Sequence, residues 1–541
     1  MQRGDCFNLR AVILAAGHSS RMEGTVKALQ PLGDTTMLGA ALRAFARAGV
    51  PGVRVVTGHN NAAVAEEALS HGGIPVYNPD FAQGMFTSVS AGLSDIEDER
   101  HYLKFPPMEV ERMELDGLDQ AAILEQLTAP GERPGNEEEQ PGIDAVFIMP
   151  VDAALVRGES IVAMAAAWRS LDPEDRKKAI FIPTFAGQCG HPPLFGADHI
   201  LPLIMWQGDG QWQDQWQWRG GLRHYLCTLL SDEAVSRFCS GQPPQKAPLS
   251  LVSFVPPLFD LAVADPREGS PDASVFFLSL PDAGIVADMD TPDDLAGANA
   301  FLDSTRLRRD PSPEEAWEWL RLSGLVPEKI RHSIVVALGA LRLGLALRGT
   351  GRAVDERLNV CGGLLHDIAR NQKAHARAGR EMLRQEGWHD CAAIVEAHTV
   401  LPDAMLEAMG LAVRDLPVGP GDRGNSARPG PDPVRLFRPE VLHACACVYL
   451  SDKFWYGAHP VSIEERFAVV KEHFAGNEEN VRSVSHREHI ALTVAEHAAA
   501  LLGKDAGTIV RTPCAHPLDA WLTALLTSPE PAPAPVNACL R

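Results

Sequence analysis

The sequence predicts an α/β half with a mostly parallel sheet followed by an all-α half, and three observations carry that expectation. Residues 8–95 alternate short apolar runs (AVILAAG, VRVVTG, IPVYN) with helix-like segments (ALRAFARAG, AAVAEEALS), the pattern of parallel strands joined by crossover helices. Two more apolar runs, AVFIMPVD at 145–152 and AIFIPTF at 179–185, add strands to the same sheet. After DMDTPDDL at 288–295 strand-like runs almost vanish and helical periodicity takes over. A chain of 541 residues implies two to four folding units at roughly 100 to 200 residues each.

Composition narrows the function classes. Hydrophobic residues make up 45% and charged ones 22%, enough for each unit to bury a core. The net charge is -21, so no basic surface is expected for a nucleic-acid backbone or an anionic membrane, and neither is expected as a partner. The ten cysteines include no C-x-x-C pair, which suits a reducing compartment. The apolar run at the N-terminus, Ala11 to Ala16, is short, and no stretch reaches the ~18 uninterrupted apolar residues of a membrane span. A cytoplasmic protein is expected.

The elements divide as follows. A first domain is expected over 8–300, interrupted at 95–142 by an insertion with fourteen acidic and four basic residues, which carries ten of the 21 net negative charges and reads as solvated. The segment 207–221, rich in Gln and Trp, has no evident physical role. Residues 301–313 read as a polar, Arg-rich linker open to trypsin, with Pro311 and Pro313 opposing a continuous helix. Ser312 is the expected N-cap of the next helix, with Glu315 at the capping-box position. An all-α domain follows over 314–505 with a flexible insertion at 415–437, then an extension at 506–541 whose tail, SPEPAPAPV, is expected to be disordered.

The most informative stretch in the first half is LAAGHSSRMEGTVK, Leu14 to Lys27, directly after a strand. A glycine turn leaving a parallel strand exposes backbone N–H groups that suit a phosphate. The spacing is neither G-x-G-x-x-G nor the P-loop pattern. It resembles the L-A-A-G-x-S-x-R-M-G-x-x-K signature of the Rossmann-like nucleotidyltransferase fold, and most of all the molybdenum-cofactor cytidylyltransferase family. Three segments extend the resemblance: NPDFAQGMFTSVSAGL at 78–93, GQCGHPPLF at 187–195, and DMDTPDDL. The resemblance implies that Leu14, Ala15, Ala16 and Gly17 cradle the nucleotide with Gly84, Ser88 and Gly190. It further implies that Arg21 and Lys27 neutralise the triphosphate, and that Asp152 and Asp290 hold Mg²⁺. The substrates would be CTP, or another NTP, and a molybdopterin-type acceptor, with a molybdoenzyme as the possible recipient of the cofactor. One departure stands out. Glu23 occupies the place of the usual glycine, so the loop to Lys27 is one residue longer; Asp288, two residues before Asp290, would share its strand face.

The second half holds 12 of the 19 histidines. His332 opens a helix, GLLHDIA at 363–369 carries His366 and Asp367, and YLSDK at 449–453 carries Asp452. This ordered set resembles the HD phosphohydrolase superfamily, whose domains are all-α and bind divalent metals. His375 and His398 fall where members with paired metals keep further ligands, which implies two ions such as Mn or Fe. His389, His443 and His497 read as structural. The expected protein is thus a fusion of a Mg²⁺-dependent transferase, moving CMP from CTP to the molybdopterin phosphate, with a metal-dependent phosphohydrolase. The alternatives are another NTP and acceptor, with an HD half that senses nucleotides without turnover.

Overall fold

The computed structural model describes residues 8–104, 143–205, 225–236, 261–263, 274–406 and 438–527, apart from 20, 23, 227–228, 232–233 and 403–404. Its first half is a mixed, mostly parallel sheet with helices on both faces. The strand order is Leu261–Val263, Ser274–Ser279, Ala179–Phe185, Leu194–Gly196, Ala145–Pro150, Leu9–Leu14, Arg54–Thr57, Ile74–Tyr77. Leu9–Leu14 is parallel to both its neighbours, and Leu194–Gly196 runs antiparallel between Ala145–Pro150 and Ala179–Phe185. The central strands are mostly apolar because both faces are covered, whereas the edge strand Ile74–Tyr77 is partly exposed. Ala11 and Ile13 enter the core on one side, Val12 and Leu14 that on the other.

Register sets the site. Leu14 pairs with Val56 on one side and Pro150 on the other, so the turns after these three strands emerge along one edge, the carboxyl edge where open α/β sheets bind ligands.

The second half is helical. Pro327–Arg348 is its central helix, with Val335, Val336 and Ala340 facing one core and Ala337, Leu338 and Leu341 facing another. It is long and apolar enough to cross a membrane by length and composition, yet 78% of its most apolar stretch is buried inside the protein, as a core helix requires. Ser312 is the N-cap of Pro313–Leu322 and Glu315 closes a capping box, as the sequence predicts.

Some expectations change. The acidic insertion does not begin at 95, because helix Met85–Lys104 runs through its first ten positions; residues 105–142, 207–221, 415–437 and the 528–541 tail lie outside the described residues, as does Glu23. The extension after 505 is structured up to Thr527: Leu518, Trp521, Leu522 and Leu525 of helix Pro517–Thr527 are buried in the helical core. The segment 301–313 is no open tether. Helix Pro292–Ser304 occupies its start, and Arg308 is buried in ion pairs with Asp282 and Glu315.

Candidate active sites

The turn Ala15–Gly17 sits between neighbours that fix it: Ala15 N–H donates to Val56 O at 2.9 Å and Ala16 O accepts from His59 N–H at 3.1 Å. Gly17 is exposed, with open space around its α-carbon. Beside it, Lys27 donates to Asp152 Oδ2 at 2.9 Å and Asp290 Oδ1 at 2.6 Å. Burial alone would lower its pKa, but the two carboxylates outweigh that and raise it, so the ammonium stays charged. Ser19 Oγ accepts from the Lys27 backbone N–H at 3.0 Å and anchors it. Arg21, exposed, donates to Asp290 Oδ2.

Asp152, Asp288 and Asp290 each offer an oxygen within 4.8 Å of the others, a hard-oxygen set that fits Mg²⁺. Asp288 shares the site without sharing a strand face, because 287–290 form no strand. Its side chain is open to solvent on one side, yet crowding by protein and the facing carboxylates of Asp152 and Asp290 push its pKa up to about 6. Sequence reasoning set Asp288 beside Asp290 without making it a ligand, and passed over His191, whose Nδ1 is buried with no partner among the described residues and whose pKa is lowered by burial against the pull of Asp152.

The remaining predicted contacts divide. Gly84 has φ 131° before helix Met85–Lys104, a conformation that favours glycine. Ser88 is buried, its Oγ accepting from Asn78 Nδ2 at 3.0 Å. Gly190 serves packing: its N–H donates to Pro183 O at 3.0 Å, and a Cβ there would lie 2.0 Å from Ile285 O.

In the helical half, close backbone approach gathers the six predicted ligands. A Cβ on Gly363 would lie 2.4 Å from Ala337 Cα, and one on Gly339 would lie 2.2 Å from Ser451 Oγ. These glycines bring the helices that lead to His366 and Asp452 against the helix that bears His332. The nitrogens are oriented before any ligand arrives. Nδ1 of His332, His366 and His398 each meets a backbone carbonyl, of Gly457, Gly363 and Val395, at 2.8, 2.8 and 2.6 Å. With Nδ1–H donating there, each Nε2 presents a lone pair inward.

Two overlapping ligand groups result: His332, His366, Asp367, and Asp367, His375, His398. Asp367 belongs to both, with Oδ1 3.2 Å from His375 Nε2 and 3.5 Å from His398 Nε2. Asp452 Oδ1 lies 3.1 Å from His332 Nε2 and 3.8 Å from His366 Nε2. Among the described residues, His366 Nε2 and Asp367 Oδ1 are buried atoms without a hydrogen-bond partner, which is costly unless a cation satisfies them. The donor set therefore fits divalent metal. Burial pushes the His366 pKa down to about 3, keeping it neutral. Burial alone would raise the pKa values of Asp367 and Asp452, but the imidazoles around the first, and Arg466, Lys453 and His332 around the second, hold both well below the usual carboxylate range. A neutral imidazole at His366 beside standing carboxylates is what metal ligation needs.

Cations surround this centre that no sequence motif singles out. Lys453 donates to Asp452 Oδ2 at 2.7 Å and to His398 O at 3.0 Å, Arg466 donates to Asp452 Oδ1 at 2.9 Å, and Arg370 reaches His375 Nε2 at 2.9 Å.

Residues 11–220 match the family model of the MobA-like NTP transferase domain, and residues 330–454 that of the HD domain. A 73-residue stretch is 38% identical to the uncharacterised protein MJ0778 of Methanocaldococcus jannaschii, covering 13% of this chain; the chain spans 43% of that curated relative's length. Solved structures that align with part of the chain include a nucleotidyl transferase from Methanothermobacter thermautotroptrophicus, 17% identical, covering 55% of this chain and 98% of that one at a TM-score of 0.32. Rv0371c from Mycobacterium tuberculosis H37Rv is 18% identical, covering 54% and 98% at 0.31. The 4-diphosphocytidyl-2C-methyl-D-erythritol synthase from Anaerococcus prevotii is 12% identical, covering 55% and 96% at 0.29. At such scores these likenesses say nothing of substrate.

Proposed function

Starting from a MobA-like NTP transferase domain joined to an HD domain, we propose that the chain carries two activities: transfer of CMP from CTP to the phosphate of a molybdopterin-type acceptor, and hydrolysis of a phosphate ester. The observation that supports the first is the meeting of Lys27 with Asp152 and Asp290 beside the Ala15–Gly17 turn. The backbone of Leu14–Gly17 receives the nucleotide while Arg21 and Lys27 neutralise the triphosphate. The acceptor phosphate oxygen attacks the α-phosphorus, the bond to the β-phosphate oxygen breaks, and pyrophosphate leaves. Such a transfer depends on positioning and counter-charge more than on covalent help. Asp152, Asp288 and Asp290 would hold Mg²⁺, which supplies further counter-charge when bound.

In the HD half, His332, His366, Asp367 and Asp452 would hold one divalent transition ion such as Mn or Fe, and Asp367, His375 and His398 a second. When bound, such ions supply an activated water and counter-charge for the ester phosphate. Lys453 and Arg466 keep Asp452 ionised and oriented. We assign 8–300 to the transferase and 314–505 to the HD domain, with helices Ala506–Arg511 and Pro517–Thr527 completing the latter's packing.

The test is a screen of the full chain with each NTP and molybdopterin, reading pyrophosphate release. CTP should give the highest rate; preference for GTP, or no release with any NTP, would overturn the assignment.

A further inference from the structure

Two charged residues deep in the transferase half belong to neither centre. Arg157 is 5% exposed and Asp282 is fully buried. Asp282 Oδ2 accepts from Arg157 N–H at 2.9 Å and Ser160 Oγ at 2.7 Å; Oδ1 accepts from Gly284 N–H at 2.9 Å and from Arg308. Arg308 also pairs at 2.8 Å with Glu315 Oε1, which accepts from Ala283 N–H at 3.0 Å. Asp282 is thus held from both halves of the chain.

Its place in the sequence matters. Asp282 caps the single turn Ala283–Val286, and the chain reaches Asp288 and Asp290 a few residues later. Ile285 O, within that turn, accepts from His191 N–H at 2.9 Å. The turn thus joins Asp282 directly to the segment that bears the carboxylates of the transferase centre.

Arg157 reaches the other way. Its guanidinium lies 3.1 Å from Glu386 Oε2, donates to Glu386 O, and stacks over the Trp388 ring at 4.5 Å. Residues 386–388 form the loop between helices His375–Gln385 and His389–Ala397. His375 starts the first helix and His398 caps the end of the second, so both ride on the hairpin whose loop Arg157 grips. A cation shared by those two imidazoles pins the far ends of the hairpin together.

We propose that this contact couples the two centres: metal binding at His375 and His398 orders the 386–388 loop, and Arg157 and Asp282 pass that order to the segment bearing Asp288 and Asp290. Asp282 and Arg157 are positioning residues. A ligand that orders a shared element lowers the ordering cost of the next, so the coupling is positive and reciprocal. The inference rests on the metal reading of the HD site and, for its second readout, on the transferase reading.

The test uses the full chain and amide hydrogen exchange at 282–287, with and without Mn²⁺. Wild type should show exchange slowed about five-fold or more, in the usual range of coupling strengths. His375→Ala, which leaves the transferase carboxylates intact, should lose the effect. Glu386→Gln should lose it while retaining metal in the HD half, and Arg157→Lys, which keeps the charge but not the two-pronged contact, should do the same if Glu386→Gln folds poorly. Equal slowing in every variant, no slowing in wild type, or loss in His375→Ala alone would overturn the path. Separately, Glu386→Gln should raise the Mg²⁺ concentration for half-maximal pyrophosphate release about five-fold with kcat at saturating Mg²⁺ unchanged; an unmoved Mg²⁺ requirement in an active variant also overturns the coupling. A chain that releases no pyrophosphate with any NTP sinks the transferase reading alone, since the exchange readout needs no turnover.

Discussion

His375 Nε2 lies 3.3 Å from His398 Nε2, although 23 residues separate them in sequence. His398 Nδ1 is committed to Val395 O, so its Nε2 carries a lone pair, and His375 Nε2 already faces a donor in Arg370. Two acceptor nitrogens at that distance repel unless a proton or a cation lies between them, and with Asp367 Oδ1 close to both a cation is the better occupant.

Metal content follows from this geometry. The wild-type chain should bind two equivalents of transition metal in its HD half, with His375→Ala retaining one. His366→Ala should lose the ion at the other position, because His366 Nε2 has no alternative partner. Elemental analysis after dialysis reads this directly. A single equivalent in wild type, unchanged by His375→Ala, would reduce the centre to one ion.

Lys27 should matter as much as Asp152. Its ammonium contacts both Asp152 and Asp290. Removing one preorganised charge from a transfer site costs on the order of 100- to 1000-fold in rate. Lys27→Ala and Asp152→Ala should each lower pyrophosphate release by roughly that factor, with metal content of the HD half unchanged. A loss under about ten-fold for Lys27→Ala would place it outside the reacting centre.

How far the sequence reached depended on the range of the interaction. Alternating apolar runs disclosed the sheet because a strand covered on both faces is mostly apolar along its length. The candidate ligand set was named through its resemblance to the HD superfamily, since a lone helical His or Asp carries no such signal. His191 and Arg466 were missed, for each acts through a neighbour supplied by another element. The segment 301–313 misled for the same reason. Arg306, Arg308, Asp310 and Pro313 read as solvated when taken in isolation, whereas Asp282, Glu315, Asp390 and Arg438 turn the segment into an interior junction.

Trypsin should therefore spare the junction. Arg308 is enclosed by Asp282 and Glu315, with its guanidinium 4.9 Å from the Phe301 ring centre. Arg308→Ala leaves both carboxylates buried without their cation, a change worth about 3 to 5 kcal/mol. The variant should unfold at lower denaturant and become cleavable near Arg306 and Arg309, where the folded wild type resists. Rapid cleavage of wild type at these arginines would show that the junction opens on its own.

The last expectation concerns pH. Asp310 is buried, and burial, reinforced by the charge of Asp390 and opposed by Arg306 and Arg438, pushes its pKa from the ordinary 3.8 up to about 6. The folded state thus holds the proton more tightly than the unfolded chain. The stabilisation is complete below pH 3.8 and is lost as pH rises through about 6. The full span corresponds to about 3 kcal/mol. Asp310→Asn keeps the shape of the protonated acid and does not titrate, so its stability advantage over wild type should grow by about 2 kcal/mol between pH 4.5 and 7.5. Denaturant midpoints of the two proteins across that range provide the comparison, and groups elsewhere cancel because both chains share them. Parallel pH profiles would mean that Asp310 titrates as an ordinary acid. An advantage that shrinks with rising pH would mean that the arginines hold it ionised.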